Sequence, residues 1–497
     1  MARCIMLQGT MSGAGKSLLV TALCRIFHQD GWRVAPFKSQ NMALNSYITR
    51  DGLEMGRAQV AQAEAAGREP DVRMNPILLK PSSDTGSQLI VCGEVQGQYC
   101  AAEYYRLKKT LLPQVLKAYR SLAAENDIIV IEGAGSPAEI NLREGDIVNM
   151  GLAEQVNAPV ILVGDIDRGG VFAQLYGTVA LLAPEECARI KGLVVNKFRG
   201  DVELLRPGLT MLEEKTGLPV LGVVPYTRVD IDDEDSLSTR LERRFQNRPV
   251  DIAVIRLPHI SNFTDFSPME SHPALGVRYV EKVQALGTPD LVVLPGTKNT
   301  MADLAWMRQN GLEAAVKKLA AADTPVLGVC GGYQMLGRSL ADPQGVEQGG
   351  TMAGMGLLPC DTCFSGRKVR TRVEGIAAGP FAGARLDGYE IHMGRTRSGR
   401  VSPFCRLENG TEEGAVCGNV FGTYLHGLFD TGELTEKMAD WLLARKGLNA
   451  LDAHLQSHAD YKERQYDLLA DAVRSSLDIP ALYRMMDAFA PGKDEKI

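Results

Sequence analysis

A glycine-rich loop close to the N-terminus constrains this chain more than any other feature. Gly9-Thr10-Met11-Ser12-Gly13-Ala14-Gly15-Lys16-Ser17 stands between the apolar run Arg3–Gln8 and the helical run Leu18–Phe27. A strand, a loop of small residues and a helix, in that order, form a phosphate-binding turn. Backbone N–H groups face inward, and the helix N-terminus favours an anion. Lys16 is then placed to reach the terminal phosphates and the Ser17 hydroxyl to ligate Mg²⁺. In the pattern G-x-x-x-x-G-K-[ST] the first glycine falls on Thr10, with Gly9 one step earlier. The expected nucleotide set is Gly9, Thr10, Gly13, Gly15, Lys16 and Ser17.

Short β-rich runs alternating with amphipathic stretches predict α/β architecture, with parallel strands covered by helices on both faces. The first series comprises Arg3–Gln8, Trp32–Lys38, Asp127–Ile131, Pro159–Gly164, Gly192–Asn196 and Pro219–Val224. An acidic run, Asp230–Asp235, leads into the basic Arg240–Arg248, and this charged stretch reads as a solvated linker. A second series follows at Asp251–Leu257, Asp290–Leu294 and Pro325–Val329, and from about Leu434 the pattern is helical. The expected division is a nucleotide domain at 1–232, a linker at 233–249, a second α/β domain at 250–437 and a helical segment at 438–497. A length of 497 residues suits two or three such domains.

Charge excludes one class of partner: 54 Lys and Arg against 60 Asp and Glu give a net charge of −6, which argues against a nonspecific grip on nucleic acid. No run of eighteen apolar residues predicts a membrane span, and no signal-peptide core precedes the glycine loop. Ten scattered cysteines show no disulfide spacing, so a cytoplasmic protein is expected. Cys360 and Cys363 form one isolated C-x-x-C, too little for a zinc site.

Two further motifs carry chemistry. Glu132 closes the strand Ile128-Ile129-Val130-Ile131, where a second Mg²⁺ contact belongs; Asn196 closes another strand and is a candidate reader of a purine edge. In Gly328-Val329-Cys330-Gly331-Gly332 a cysteine sits between glycines where a strand turns into a helix. This is the geometry of a nucleophile elbow, and a helix N-terminus behind Cys330 favours its thiolate. The Gly331 N–H and the turn at Gly296, in Leu294-Pro295-Gly296-Thr297-Lys298, are the expected oxyanion donors. Of seven histidines, His426 in Gly422-Thr423-Tyr424-Leu425-His426-Gly427 is the expected base. His392 is the runner-up, with a structural role favoured for it.

The loop Gly-Thr-x-Ser-x-x-Gly-Lys-Ser resembles the dethiobiotin-synthetase type, whose members phosphorylate a carboxylate. Partitioning ATPases carry a lysine where this chain has Met11. Cys330 with His426 resembles the glutaminase site of class I, triad-type glutamine amidotransferases. Their third member, a Glu two residues after the His, is Leu428 here, which leaves the group that orients His426 open. Four segments in order extend the likeness: Pro36–Ser46, Glu132–Leu142, Asp146–Gly151 and Gly164–Gly170. Together with the elbow and Tyr424–Gly427 they resemble the cobyric acid synthases, glutamine-hydrolysing amidotransferases of cobalamin biosynthesis.

That resemblance implies ATP- and Mg²⁺-dependent amidation of the b, d, e and g carboxylates of adenosylcobyrinic acid a,c-diamide, giving adenosylcobyric acid. Phosphoryl transfer would convert each carboxylate into an acyl phosphate, with Lys16, Lys38 and Mg²⁺ neutralising charge. Ammonia freed from glutamine at Cys330 would reach it through a sheltered passage. Asn41, Asn45, Asn141 and Asn149 are candidate readers of the amide-bearing corrinoid rim, and Arg168 and Arg143 candidate carboxylate clamps. Partners are thus a corrinoid and glutamine, with no nucleic acid or membrane; the oligomeric state stays open. A cobyrinic acid a,c-diamide synthase is the neighbouring alternative. One of another class is a P-loop ATPase switch protein whose amidotransferase-like domain is not catalytic.

Overall fold

The computed structural model describes residues 2–81, 86–231, 248–450 and 458–490. The linker expected at 233–249 therefore lies outside the described residues except for its last two, and so does the tail after Ala490. The chain forms two compact units. The first takes Met1–Met42, Met55–Asp232 and the chain from Lys462; the second takes Ala43–Glu54 and Asp233–Tyr461.

Six parallel strands form the sheet of the first unit, in the order Val220–Pro225, Ile190–Phe198, Val160–Asp165, Arg3–Gly9, Ile128–Glu132 and Val34–Phe37. These runs are β-branched and apolar because both faces are covered; all four residues Ile128 to Ile131 are fully buried. Registers align Leu7 with Glu132, Gly9 with Val163 and Asp165 with Asn196. Gly9, Glu132, Asp165 and Asn196 thus gather along one edge, where parallel strands end and ligands bind.

The expected C-terminal helical segment divides. Helix Glu433–Arg445 buries Leu434, Met438, Leu442 and Leu443 in the core of the second unit. From Lys462 onward the chain belongs to the first unit, where Tyr466, Leu469, Val473, Ile479, Leu482 and Met486 share a core with helix Lys16–Gln29. An amphipathic helix must cover something, and here it covers the first sheet. Asp478 donates its N–H to Leu221, and Arg25 pairs with Asp467 at 2.7 Å.

In the second unit the sheet order is Leu275–Val280, Val250–Ile255, Leu291–Leu294, Val326–Val329, Val420–Thr423 and Ala415–Cys417. Only the last strand runs antiparallel to its neighbour. A second sheet is built on the antiparallel pair Cys360–Ala377 and Arg385–Ser398, and short strand Leu425–His426 joins it, setting His426 opposite Tyr389.

Candidate active sites

In the first unit the phosphate loop leaves the Arg3–Gly9 strand and enters helix Lys16–Gln29 through Gly15, whose φ of 89° is left-handed. Any side chain there would also strike the Asn196 amide. Lys16 Nζ donates to the carbonyls of Met11 (3.2 Å) and Gly135 (3.1 Å), so it bridges this loop and the one after Glu132. Thr10, standing where a glycine was expected, donates its hydroxyl to Gln174 at 3.1 Å.

Glu132 is the hub of this site. It is 1% exposed, and its carboxylate accepts from Ser17 Oγ at 2.8 Å, Lys38 Nζ at 2.8 Å and Gln62 Nε2 at 2.6 Å. Burial alone would raise its pKa, but Lys38, Gln62 and Lys16 outweigh that and hold it below the ordinary carboxylate value. A hydroxyl and an ionised carboxylate in contact form a hard-oxygen donor pair suited to Mg²⁺. The Gln62 Oε1 supports that fit: it is buried beside them with no hydrogen-bond partner, an acceptor ready for a metal-bound water.

Other expected ligands are engaged in shaping the loops. Asn196 gives its amide N–H to the Ala14 carbonyl at 2.9 Å, so in this structure it braces the phosphate loop from outside. Lys197 (φ 61°) ties Gly13 to the buried Asp165, at 2.6 and 2.8 Å. Asn149 exchanges two hydrogen bonds with the Ala134 backbone, and Asn41 donates to Gln59 at 2.9 Å. Asn141 and Arg168 are exposed, and Arg143 pairs with Glu186. Asn45 is buried and belongs to the second unit.

In the second unit Cys330 ends the Val326–Val329 strand with φ 50° and ψ −106°, a conformation non-glycine residues rarely adopt. The glycines around it permit this. A Cβ on Gly332 would collide with the Leu294 carbonyl, and one on Gly331 would stand 3.1 Å from the Thr297 nitrogen. Small residues thus bring the elbow against the Gly296 turn, with the Gly332 N–H donating to the Pro295 carbonyl at 3.1 Å.

His426 is 1% exposed, and the Cys330 thiol donates to the Ile391 carbonyl at 3.7 Å. Its Nδ1 lies 2.7 Å from Asp265 Oδ2, while Asp265 Oδ1 accepts from the Gly427 N–H at 2.9 Å. Burial would lower the imidazole pKa, but Asp265 and Cys330 together push it up to about 10. The imidazole of His426 is therefore protonated at neutral pH. Leu428, which stands where class I amidotransferases carry a Glu, is fully buried in the apolar core. The orienting carboxylate instead comes from the short 3₁₀ turn Phe263–Phe266, 161 residues earlier. No spacing rule connects the two. The only sequence signal was an acid between two phenylalanines. His392 stacks on Tyr424 with centroids 3.7 Å apart and bonds the Gly394 carbonyl at 2.7 Å, so it is held structurally. Among the described residues no group of three or more His, Cys, Asp or Glu side chains is arranged to hold a metal, Cys360 and Cys363 included.

Residues 5–237 match the family described as CobQ/CobB/MinD/ParA nucleotide binding domain, and residues 251–434 match the CobB/CobQ-like glutamine amidotransferase domain. The chain is 57% identical to a cobyric acid synthase of Ruminiclostridium cellulolyticum, covering 98% of each chain. It is 56% identical to one from Lachnoclostridium phytofermentans, covering 98% of this chain and 99% of that one. A Klebsiella pneumoniae cobyric acid synthase is 53% identical, with 97% and 98% covered. No described helix is long and apolar enough to cross a membrane.

Proposed function

Since the chain belongs to the cobyric acid synthase family, we propose that it amidates the b, d, e and g carboxylates of adenosylcobyrinic acid a,c-diamide, with glutamine as nitrogen donor and ATP as driving force. The observation that carries this reading is the presence in one chain of two differently built sites. One is a phosphate loop whose Ser17 meets Lys38 and Gln62 at the Glu132 carboxylate, while its Lys16 bridges to the loop after Glu132. The other is a thiol on a strained turn whose electrostatic neighbour is an imidazole that a buried carboxylate holds.

At the second site Cys330 Sγ attacks the glutamine amide carbon, and the N–H groups of Gly331 and the Gly296 turn face the oxyanion. His426 passes its proton to the departing nitrogen, and ammonia leaves. His426 then takes a proton from water as that water cleaves the glutamyl thioester. Asp265 keeps the Nδ1–H turned toward itself, so Nε2 faces the thiol.

At the first site ATP transfers its γ-phosphoryl group to a corrinoid carboxylate, because expelling oxide or hydroxide from a free carboxylate is too costly. Ammonia displaces phosphate from the acyl phosphate, leaving the amide. Lys16 and Lys38 neutralise charge on the phosphoryl oxygens. Ser17 and Glu132 would hold Mg²⁺, which when bound supplies charge neutralisation at the phosphates. Met42, Ile140, Asn141 and Leu142 are exposed in two of the family-like segments, which suits a ligand with an apolar face and an amide rim.

The test is a mass spectrum of the corrinoid after incubation with MgATP and glutamine. Four carboxylates converted to amides is the expected result, and two would sink the reading. Cys330→Ser is expected to abolish glutamine-driven synthesis and leave ammonia-driven synthesis intact.

A further inference from the structure

The stretch Ala43–Glu54 follows the Gln40–Met42 strand of the first unit in sequence, yet it packs within the second. Its strand Ser46–Ile48 buries Ile48 with Tyr389 and Ile391. The Ser46 carbonyl accepts two hydrogen bonds, from Asn262 Nδ2 at 2.8 Å and from the Tyr389 hydroxyl at 3.0 Å. Asn262 also donates to the Tyr389 oxygen at 2.8 Å, which closes a buried three-membered network. Tyr47 meets Tyr389 edge-on at 5.5 Å, and its hydroxyl accepts from Arg372 at 3.0 Å. At the far end Glu54 pairs with Lys368 at 2.6 Å, with side chains 0% and 9% exposed.

Both residues fixed by Ser46 also support His426. The Tyr389 ring stacks on the imidazole, with centroids 5.6 Å apart and planes 25° apart, and the two residues face each other in paired strands. Asn262, at φ 52°, starts the 3₁₀ turn that presents Asp265 to His426 Nδ1. One backbone carbonyl from an N-terminal segment therefore pins the ring beside the imidazole and the turn that carries its carboxylate.

We propose that Ala43–Glu54 is a positioning strap for the glutamine site. Through Tyr389 and Asn262 it sets how His426 faces Cys330, so that glutamine hydrolysis follows the state of the Asn41-Met42 segment from which the strap departs. This rests on the glutamine-hydrolysing role given above to Cys330 and His426. Tyr389 and Asn262 are positioning residues, since neither meets the reacting atoms.

Tyr389→Phe keeps the ring and removes the hydroxyl. In the full-length enzyme, kcat for glutamine hydrolysis is expected to fall about ten- to a hundredfold, the loss typical of a misplaced catalytic group. KM for glutamine and the ammonia-driven rate stay unchanged. Asn262→Ala should act in the same direction, and the double variant should lose little more than the worse single, because both act through one carbonyl. MgATP with the corrinoid acid is expected to raise glutaminase turnover in the parent and to leave the Phe variant unmoved. Parental kcat and acceptor response in Tyr389→Phe, fully additive losses, or an equal fall in ammonia-driven synthesis would each overturn the strap. If Tyr389→Phe is too unstable to assay, Tyr47→Ala asks the same question with the Arg385–Ser398 strand intact: lowered kcat with ammonia-driven synthesis retained supports the strap, and unchanged kcat overturns it. Cys330→Ser separates the two readings. Glutaminase surviving in that variant sinks the assignment of the site itself, whereas a silent Tyr389→Phe beside a dead Cys330→Ser sinks only the strap.

Discussion

Asp265 does for His426 what no residue near it in sequence can do, and removing its charge has two separable consequences. Asp265→Asn retains the shape of the turn but reverses the hydrogen-bond preference at Nδ1, so the imidazole presents the wrong tautomer. We expect kcat for glutamine hydrolysis to fall by about 10²–10⁴, with ammonia-driven synthesis kept. The second consequence is in stability. The imidazole pKa rises from 6.5 to about 10 in the fold, so its contribution is complete below about pH 6.5 and fades as pH climbs toward 10. Denaturant unfolding should show the gap between parent and Asp265→Asn widest below pH 6.5 and narrowing above it. At the other site Gln62→Met removes a donor to Glu132 and an acceptor for metal-bound water. Mn²⁺ binding measured by electron paramagnetic resonance should weaken about ten- to a hundredfold, with glutaminase turnover unaffected. Neither residue announced itself in sequence. Gln62 lies on a buried helix, Arg57–Ala65, whose polar composition reads as surface, and Asp265 meets His426 only once the chain has closed.

Elements whose chemistry is local were legible; those completed by distant chain were not. The parallel strands showed as β-branched runs because both their faces are covered, and the phosphate loop and the elbow were visible because each is built from consecutive residues. The short strand Glu412–Glu413 illustrates the opposite. There Glu413 is buried, accepting from the Thr423 hydroxyl at 2.6 Å and the Tyr424 N–H at 2.7 Å. Burial pushes its pKa up to about 7 despite those donors. The folded value exceeds the ordinary 4.5, so the fold is favoured below pH 4.5 and loses that contribution as pH rises through 7. Melting temperatures of Glu413→Gln across this range should lack the parent's decline. The strap's anchor is a second such case. Lys368→Met takes one ammonium away from the buried Glu54 carboxylate, and unfolding should show a loss of stability of up to about 3–5 kcal/mol.

Across the whole molecule, neither unit is continuous in sequence. The charged run points to a break at residue 232, but the first unit also draws on the chain from Lys462, and the second on Ala43–Glu54. Leu469, Val473, Leu482 and Met486 are at most 3% exposed. At roughly 1.5–3 kcal/mol for each such side chain, their removal rivals the net stability of a domain, about 5–15 kcal/mol. A chain ending at residue 461 should therefore fail to bind nucleotide, as calorimetric titration would show, while the core around Cys330 retains its own melting transition. The long-range returns behind this are what composition and periodicity cannot carry, since an apolar helical stripe shows that something is covered but not what.

The late return of the Lys462–Phe489 stretch also bears on how the protein is made. A ribosome that has finished the Val220–Pro225 strand must still synthesise more than two hundred residues before Leu469 and Leu482 exist to seal that sheet. At about 5–20 residues per second, this is a delay of roughly tens of seconds. The half translated first is therefore completed last, and until then its exposed edge is the part of the nascent polypeptide most in need of a chaperone.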